Sequence, residues 1–310
     1  MVLIAALDVG GTTLKGLVSR SGDVVAERRW PTPRDGGPDA VVSAVVDAAA
    51  ELCDLCESAT GAAPAAVGVA TLGLVDAEAG VAVRSSTVGW TGVPLARLVG
   101  ERVHLPVHLA HDIAAAAFAE VALVGEATDN VLFLAIGTGI GATTVIDGVP
   151  VAGAHHRAGE IGHVRVAGGV AECGCGQRGC LETVASGRAI AEAYRMRCGL
   201  ASATAHQVAL AASSGDVVAA DVWRRATLAL AEVLATCSMI LDPSTIIVGG
   251  GLSHAGPQLL APVTQAMSER LPFAGVPTVV AARLGDRAAM LGMAMIAAQK
   301  LVAAEQEQPA

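Results

Sequence analysis

The feature that most constrains this chain is a pattern that occurs twice. An apolar run over residues 2–7 ends at Asp8, then come Gly10-Gly11-Thr12-Thr13 and a second apolar run over 14–18. Residues Asn130–Ile136 are again apolar, followed by Gly137-Thr138-Gly139-Ile140-Gly141, another apolar run over 142–146 and the turn Asp147-Gly148. Each copy reads as strand, glycine turn, strand. Internal duplication is the economical explanation, and 310 residues leave room for two domains at about 100–200 residues each.

Around the first copy the pattern predicts a third strand over 24–29, a Pro/Gly-rich loop over 31–38 and a helix over about 39–55. Strands over 65–71 and 105–109, with a short helix over 95–101 between them, alternate as parallel-sheet units do. After the second copy come a helix over about 218–241, a strand over 245–248 running into Gly249-Gly250-Gly251, and a helix over about 257–269. A closing helix over about 287–304 precedes a polar, frayed tail, and the boundary near 111–128 is expected to be a hinge.

Composition narrows the function. With 53% apolar, 16% charged and 2% aromatic residues, the chain is neither disordered nor a solvated coiled coil. A net charge of −9, with 20 Lys and Arg spread along the chain, argues against a nucleic-acid surface or a membrane anchor, both of which need clustered cations. A small molecule is the expected partner. No secretory signal is visible, and the apolar stretches 131–146 and 228–241 are too short or too interrupted by Gly and Glu232 to span a bilayer, so a cytoplasmic protein is expected. Seven cysteines do not read as a disulfide framework.

Four motifs could carry chemistry. In Asp8-x-Gly10-Gly11-Thr12-Thr13-x-Lys15, glycines let backbone N–H groups approach phosphate oxygens, the threonine can donate, and the carboxylate can hold Mg²⁺ through water. A plain glycine hairpin is the alternative. Gly137, Thr138, Gly139 and Gly141 at the equivalent turn, with Gly249, Gly250 and Gly251, change the odds, because three loops could close around one nucleotide in an interdomain cleft. Lys15 reads equally as a phosphate contact or a partly exposed strand residue. His111-Asp112, between a strand and a helical run, places a carboxylate that either caps the helix or serves as a base.

His163, Cys173, Cys175 and Cys180, among Gly174, Gly176 and Gly179, match a closed tetrahedral Cys₃His site of the structural type. Glu160 and Glu182 bracket it, either as rigidly placed acceptors for hydroxyl groups or as surface acids. Cys53, Cys56, Cys198 and Cys237 are expected in the core.

Together these segments resemble the ROK family of bacterial sugar kinases and sugar-responsive repressors. The resemblance runs through Asp8–Lys15, Gly89-Trp90 with Val93-Pro94-Leu95, Asp112, Gly137–Gly141, Glu160-Ile161-Gly162-His163, Cys173–Glu182, and Asp242-Pro243 with Gly249-Gly250-Gly251. It implies an α/β, actin-like, hexokinase-type ATPase fold: two RNase-H-like domains around a cleft, residues 1–115 plus about 288–304, and residues 116–287 with the zinc loop. By that resemblance Asp112 takes the proton of a sugar hydroxyl while the γ-phosphoryl of ATP transfers in line, with Mg²⁺ and the glycine loops spreading the charge. Glu160, His163 and Glu182 hold sugar hydroxyls, His163 using one ring nitrogen for zinc and the other for sugar.

The chain departs from the family where His111 and Ala114 replace asparagines flanking the base, where Thr87 replaces an asparagine that contacts sugar, and where Ser86 and Leu72 replace prolines. Lost asparagines alter which hydroxyls are satisfied. The expectation is therefore a glucokinase-like hexose kinase acting at O6. The alternatives are an N-acylhexosamine kinase, for N-acetylmannosamine or N-acetylglucosamine, and a non-catalytic sugar sensor. ATP, Mg²⁺ and structural Zn²⁺ are the implied cofactors, a homodimer or homotetramer the implied assembly. The acidic chain shows no helix-turn-helix, which argues against nucleic acid.

Overall fold

The computed structural model describes residues 2–124 and 130–307, so residues 125–129 of the expected hinge and 308–310 of the expected tail lie outside the described residues. The chain divides into two units, one running to Glu120 and resuming at Asp286, the other from Val121 to Gly285.

Unit 1 begins with β1 (Leu3–Val9), β2 (Thr13–Arg20) and β3 (Asp23–Pro31), then α1 (Gly37–Thr60) and β4 (Ala66–Thr71). Next come β5 (Leu74–Asp76), β6 (Val81–Arg84), β7 (Thr91–Val93), α2 (Leu95–Val103), β8 (Val107–His111) and α3 (Asp112–Val124), which crosses the unit boundary. Unit 2 holds β9 (Asn130–Ile136), β10 (Ile140–Ile146), β11 (Val149–Pro150), α4 (Glu182–Ala185), α5 (Gly187–Cys198), α6 (Ala205–Ser213), α7 (Val217–Leu241), β12 (Thr245–Gly249), α8 (Pro257–Arg270) and β13 (Thr278–Ala281). The chain then returns to unit 1 as α9 (Ala288–Glu307).

The main sheet of unit 1 has the order β3-β2-β1-β4-β8, that of unit 2 the order β11-β10-β9-β12-β13. In both, the repeated hairpin is antiparallel, the outer strand on its side, β3 or β11, is antiparallel too, and the two strands on the other side are parallel. Alternation sorts side chains between faces. From β1, Ala5, Leu7 and Val9 join Val41, Val45 and Leu52 of α1 in one core, while Ile4 and Ala6 meet Met290, Met293 and Ala297 of α9 in another. In unit 2, Leu132, Leu134, Ile246 and Val248 pack with Leu230 and Leu234 of α7 and Leu259 of α8.

Local chemistry sets the helix ends. α1 carries Pro38 in its first turn and stops at Gly61, which takes the left-handed conformation with φ 78°. At the start of α7 the Asp216 carboxylate accepts the N–H groups of Val218 and Ala219. α9 seats tightly because residue 292 is glycine: a Cβ there would overlap the carbonyl oxygen of Ala115 in α3. Among the described residues α9, with its leading turn, is the one helix long and apolar enough to cross a membrane. Its apolar face is the one packed on unit 1's sheet.

Several elements went unread in the sequence. The strands of the antiparallel sheet β5-β6-β7, the helix α4 and the strand β13 are three or four residues each, too short to show a period, and α5 and α6 are short helices that were not recognised. α9 continues through Glu307, past the expected end near 304.

Candidate active site and metal centre

In unit 1 the first glycine turn, expected to bind phosphate, sits at the carboxyl end of β1. Gly10 N–H donates to the Thr13 carbonyl (3.2 Å), and Thr32, just beyond β3, fixes the turn through its hydroxyl to the Gly10 carbonyl (2.8 Å) and its N–H to the Thr12 carbonyl (3.0 Å). Gly11, Thr12 and Thr13 remain at least partly open to solvent. Thr87 belongs to the same corner, its methyl group 2.7 Å from where a Cβ at Gly11 would stand.

Asp8 is buried, and Lys15 Nζ lies 3.8 Å from its Oδ2. Burial first, then the neighbouring Asp112 carboxylate, pushes the Asp8 carboxyl up to about 7, against the pull of Lys15. Burial thus favours the protonated form of Asp8, and a cation beside it would favour the ionised one. This neighbourhood joins Asp8, Lys15 and Asp112 within one unit. Lys15 is only 24% exposed and ion-paired, which explains a lone lysine at that place in a lysine-poor chain.

Asp112 opens α3 directly after β8. The Ile113 N–H donates to Asp112 Oδ1 (2.7 Å) and also approaches His111 Nδ1 (3.2 Å), so the carboxylate satisfies a helix-terminal donor while a third of its side chain stays exposed. Capping the helix and serving as a base are thus compatible. His111 Nδ1 also stands 3.3 Å from Asp112 Oδ1, so ring, carboxylate and the Ile113 N–H meet at the start of α3. Thr71, paired in register with both Val9 and His111, is fully buried at the end of β4 with its hydroxyl unpartnered among the described residues.

In unit 2 the two glycine loops lie side by side. β9 and β12 are parallel neighbours with Gly249 opposite Ala135, so Gly137 and Gly250 leave adjacent strand ends. Gly250 has φ 76°, and a Cβ there would stand 2.5 Å from the Ile136 carbonyl oxygen, which only glycine tolerates. The Gly137 carbonyl accepts the N–H of Gly187 at the start of α5 (2.9 Å). Thr138 and Gly251 are exposed beside these loops.

His163, Cys173, Cys175 and Cys180 each bring one ligand atom to a cluster whose members lie within 4.8 Å of one another. Cys173 Sγ is 3.5 Å from His163 Nδ1, and Cys175 Sγ is 3.7 Å from Cys180 Sγ. A tetrahedron of sulfurs at about 2.3 Å from a zinc ion has edges of about 3.8 Å, so the donor set fits such an ion. Burial holds the Cys173 and Cys180 thiols above their ordinary range, while the Gln177 backbone N–H draws Cys175 below it. A divalent cation supplies the charge that converts such thiols to thiolates.

The loop's backbone builds the knuckle: Cys173 N–H donates to the Gln177 carbonyl (2.8 Å), and Gly176 N–H returns to the Cys173 carbonyl (2.9 Å). Glu182, at the start of α4, accepts the Cys173 thiol (3.0 Å), and its other oxygen stands 3.0 Å from where a Cβ at Gly139 would be. It therefore joins the cysteine loop to the glycine turn. His163 Nε2 points to the Glu160 carboxylate, 3.6 Å away. The ring is thus divided, Nδ1 toward sulfur and Nε2 toward a carboxylate that is 41% exposed.

The remaining cysteines are free. Cys56 is buried and Cys53 and Cys237 partly so, all with thiols raised by burial. Cys198 corrects the expectation of a core residue: it is the last residue of α5, before Gly199 turns the chain away, and it is exposed. Thr32 was missed in the sequence, because a threonine after a strand carries no signal of the turn it ties.

The chain is 31% identical to a glucokinase of Streptomyces coelicolor, over 96% of this chain and 98% of that protein. It is 32% identical to an N-acetylmannosamine kinase of Escherichia coli O157:H7, over 94% and 97%. The crystal structure of a ROK family glucokinase from Streptomyces griseus in complex with glucose and AMPPNP superposes with a TM-score of 0.79 at 29% identity, over 96% of this chain and 99% of that one. The fold is the actin-like ATPase fold of ROK hexokinases. The ROK family model matches residues 4–300, nearly the whole length described above, and the chain belongs to that family.

Proposed function

We propose that this chain transfers the γ-phosphoryl group of ATP to a hexose hydroxyl, at O6, with Asp112 as the general base. It is a carbohydrate kinase, by its likeness over nearly its full length to a glucokinase and to an N-acetylmannosamine kinase. The observation that carries the assignment within the chain is the grouping in unit 1 of Asp112 with the buried Asp8 and its partner Lys15.

Each group has a task that its surroundings suit. Asp112 is held in orientation by the Ile113 N–H and stays partly open, as a base that must meet a substrate hydroxyl requires. Asp8 would hold Mg²⁺ through water, a cation that keeps the carboxyl ionised and neutralises charge building on the transferred group. Gly10, Gly11, Thr12, Thr13 and Lys15, with Gly137, Thr138, Gly139, Gly141 and Gly249 to Gly251, would receive the nucleotide. Zinc on His163 Nδ1 and the three thiolates would fix the loop, leaving His163 Nε2, Glu160 and Glu182 to hold sugar hydroxyls.

One observation favours N-acylhexosamines as a second substrate class. Where the family has an asparagine amide beside the base, this chain has the His111 imidazole, whose Nδ1 is engaged at the start of α3 by the Ile113 N–H and the Asp112 carboxylate. Thr87 likewise replaces an amide with a hydroxyl.

ADP release with Mg-ATP across glucose, mannose, N-acetylmannosamine and N-acetylglucosamine tests both readings. Turnover on glucose or mannose, lost in Asp112→Asn, is the expected result; turnover confined to the N-acyl sugars moves the assignment to the second class. Sugar binding measured by calorimetry without ADP formation overturns the kinase reading in favour of a sensor. We place the enzyme in the cytoplasm with its ATP supply, as a homodimer or homotetramer to be checked by sedimentation.

A further inference from the structure

The last helix brings an acid to the phosphate loop. Lys15 stands directly opposite Asp8 on β1 and Arg29 on β3, so three charges form a row across three strands. Alternation puts Asp8 and Lys15 on the face that also carries Ile4, Ala6 and Leu17, the face covered by α9. Asp286 sits in the single turn that leads into α9. Its Oδ2 is 2.8 Å from Arg29 Nη2 and 3.9 Å from Lys15 Nζ. Beside it Arg287 Nε reaches Glu27 on the same strand as Arg29 (2.6 Å). The close seating of α9 at Gly292 fixes where this turn falls.

Lys15 is therefore shared. Its ammonium lies 3.8 Å from one carboxylate and 3.9 Å from the other, longer than a tight charge-assisted hydrogen bond to either. With Asp8 as its only acid, the ammonium would close onto that carboxylate. Such a pair would withhold one group from the metal ion and the other from phosphate.

We propose that Asp286, clamped by Arg29, is a positioning residue that holds Lys15 off full pairing with Asp8 and so keeps both groups open to Mg-nucleotide. The inference rests on the kinase reading. It costs the protein little to maintain, because the side-chain rotamers are set by α9 before nucleotide arrives.

The test compares Asp286→Asn, Asp286→Glu and Arg287→Gln by Mg-ADP calorimetry and by steady-state kinetics. Asp286→Asn is expected to raise the Mg-ADP Kd and the KM for ATP about tenfold while moving the KM for sugar less than twofold. Asp286→Glu is expected to restore most of the loss. Arg287→Gln, which cuts a pin of the same turn without touching Lys15, is expected to leave both constants for nucleotide unchanged. An unchanged Mg-ADP Kd in Asp286→Asn overturns the inference, as does an equal effect of Arg287→Gln. If Asp286→Asn does not fold, Arg29→Gln carries the same test from the other end of the row, with the same expected rise. Failure of the kinase reading shows separately, as a wild-type protein that neither binds Mg-ADP nor turns over any sugar.

Discussion

The two units carry the same sheet and use it differently. Counting back from the last pair of each hairpin, Val9 with Leu14 and Ile136 with Ile140, Asp8 corresponds to Ala135 and Lys15 to Gly141. On the neighbouring parallel strand, Ala70 corresponds to Gly249. Unit 1 therefore has an acid and a base where unit 2 has only small residues. What unit 2 adds instead is the segment from β11 through the first residue of α4, with four side chains that could ligate a metal and the carboxylates of Glu160 and Glu182. The two hairpins share their backbone pairing; on the proposed reading the charge that drives transfer lies in unit 1, and unit 2 adds the groups that recognise the sugar.

The sharpest way to break that contrast is Asp112→Asn. The amide still accepts the Ile113 N–H, so the start of α3 is preserved, but it takes no proton. A fall in kcat of about a thousandfold is expected, with an unchanged melting temperature. A variant within tenfold of wild type would place the base elsewhere.

Unit 2's share is exposed by its proposed metal centre. Chelation, or Cys180→Ser at a buried ligand position, is expected to lower kcat/KM for sugar on the order of 10–100-fold. Mg-ADP affinity should change less than threefold, since the charged groups proposed for nucleotide, Asp8 and Lys15, belong to unit 1. One zinc per chain by atomic absorption is expected before treatment, and its absence from protein prepared without chelator would contradict the Cys₃His assignment.

Asp8 makes the third difference measurable as pH dependence. Its pKa lies near 7 in the folded protein against an ordinary 3.8, so the folded state holds the proton more tightly than the unfolded chain. That contribution to stability is complete below the unfolded value and is lost as pH rises through about 7. Asp8→Asn does not suffer the loss. Without Mg²⁺ or nucleotide it is expected to exceed wild type by a few kcal/mol at pH 8 and by about half of that or less at pH 5. Thermal melts at the two pH values decide it; a pH-independent difference would mean that Asp8 is ionised throughout.

How much of this could be read from the chain follows from the range of each signal. The duplicated hairpins, the long helices and the Cys/His spacing are local patterns and were legible as such. The order of strands in unit 2 needed β13, four residues long, and α5, although amphipathic, and α6 are short helices of 12 and 9 residues. At the site, Asp8, Lys15, Glu160 and Glu182 stand in motifs. Asp286 does not: its role depends on α9 returning to unit 1 across more than 260 residues of chain from Lys15, and no local pattern encodes that approach. Thr32 was hidden for the same reason at shorter range. The orientation of His111 was unreadable because it depends on a backbone N–H two residues ahead.

The smallest effects lie in how each turn is held. Thr32 ties the first glycine turn with a side-chain hydroxyl, whereas the second is tied by the Gly187 backbone, whose position at the head of α5 depends on Ser186 accepting the Ala189 N–H at 3.1 Å. Thr32→Val keeps the shape and deletes one hydrogen bond, worth about 1 kcal/mol. Ser186→Ala removes a helix cap of about the same worth. Each should lower the melting temperature by about 2–4 °C. Their kinetic effects should part: Thr32→Val acts on the KM for ATP by about twofold, because the loosened turn is the one beside Asp8 and Lys15. Ser186→Ala loosens α5, which follows directly on the α4 segment carrying Glu182, and so should act on the KM for sugar as well. If both variants moved only the nucleotide constant, the second turn would be a phosphate cradle equal to the first, and the division of labour between the two sheets would have to be redrawn.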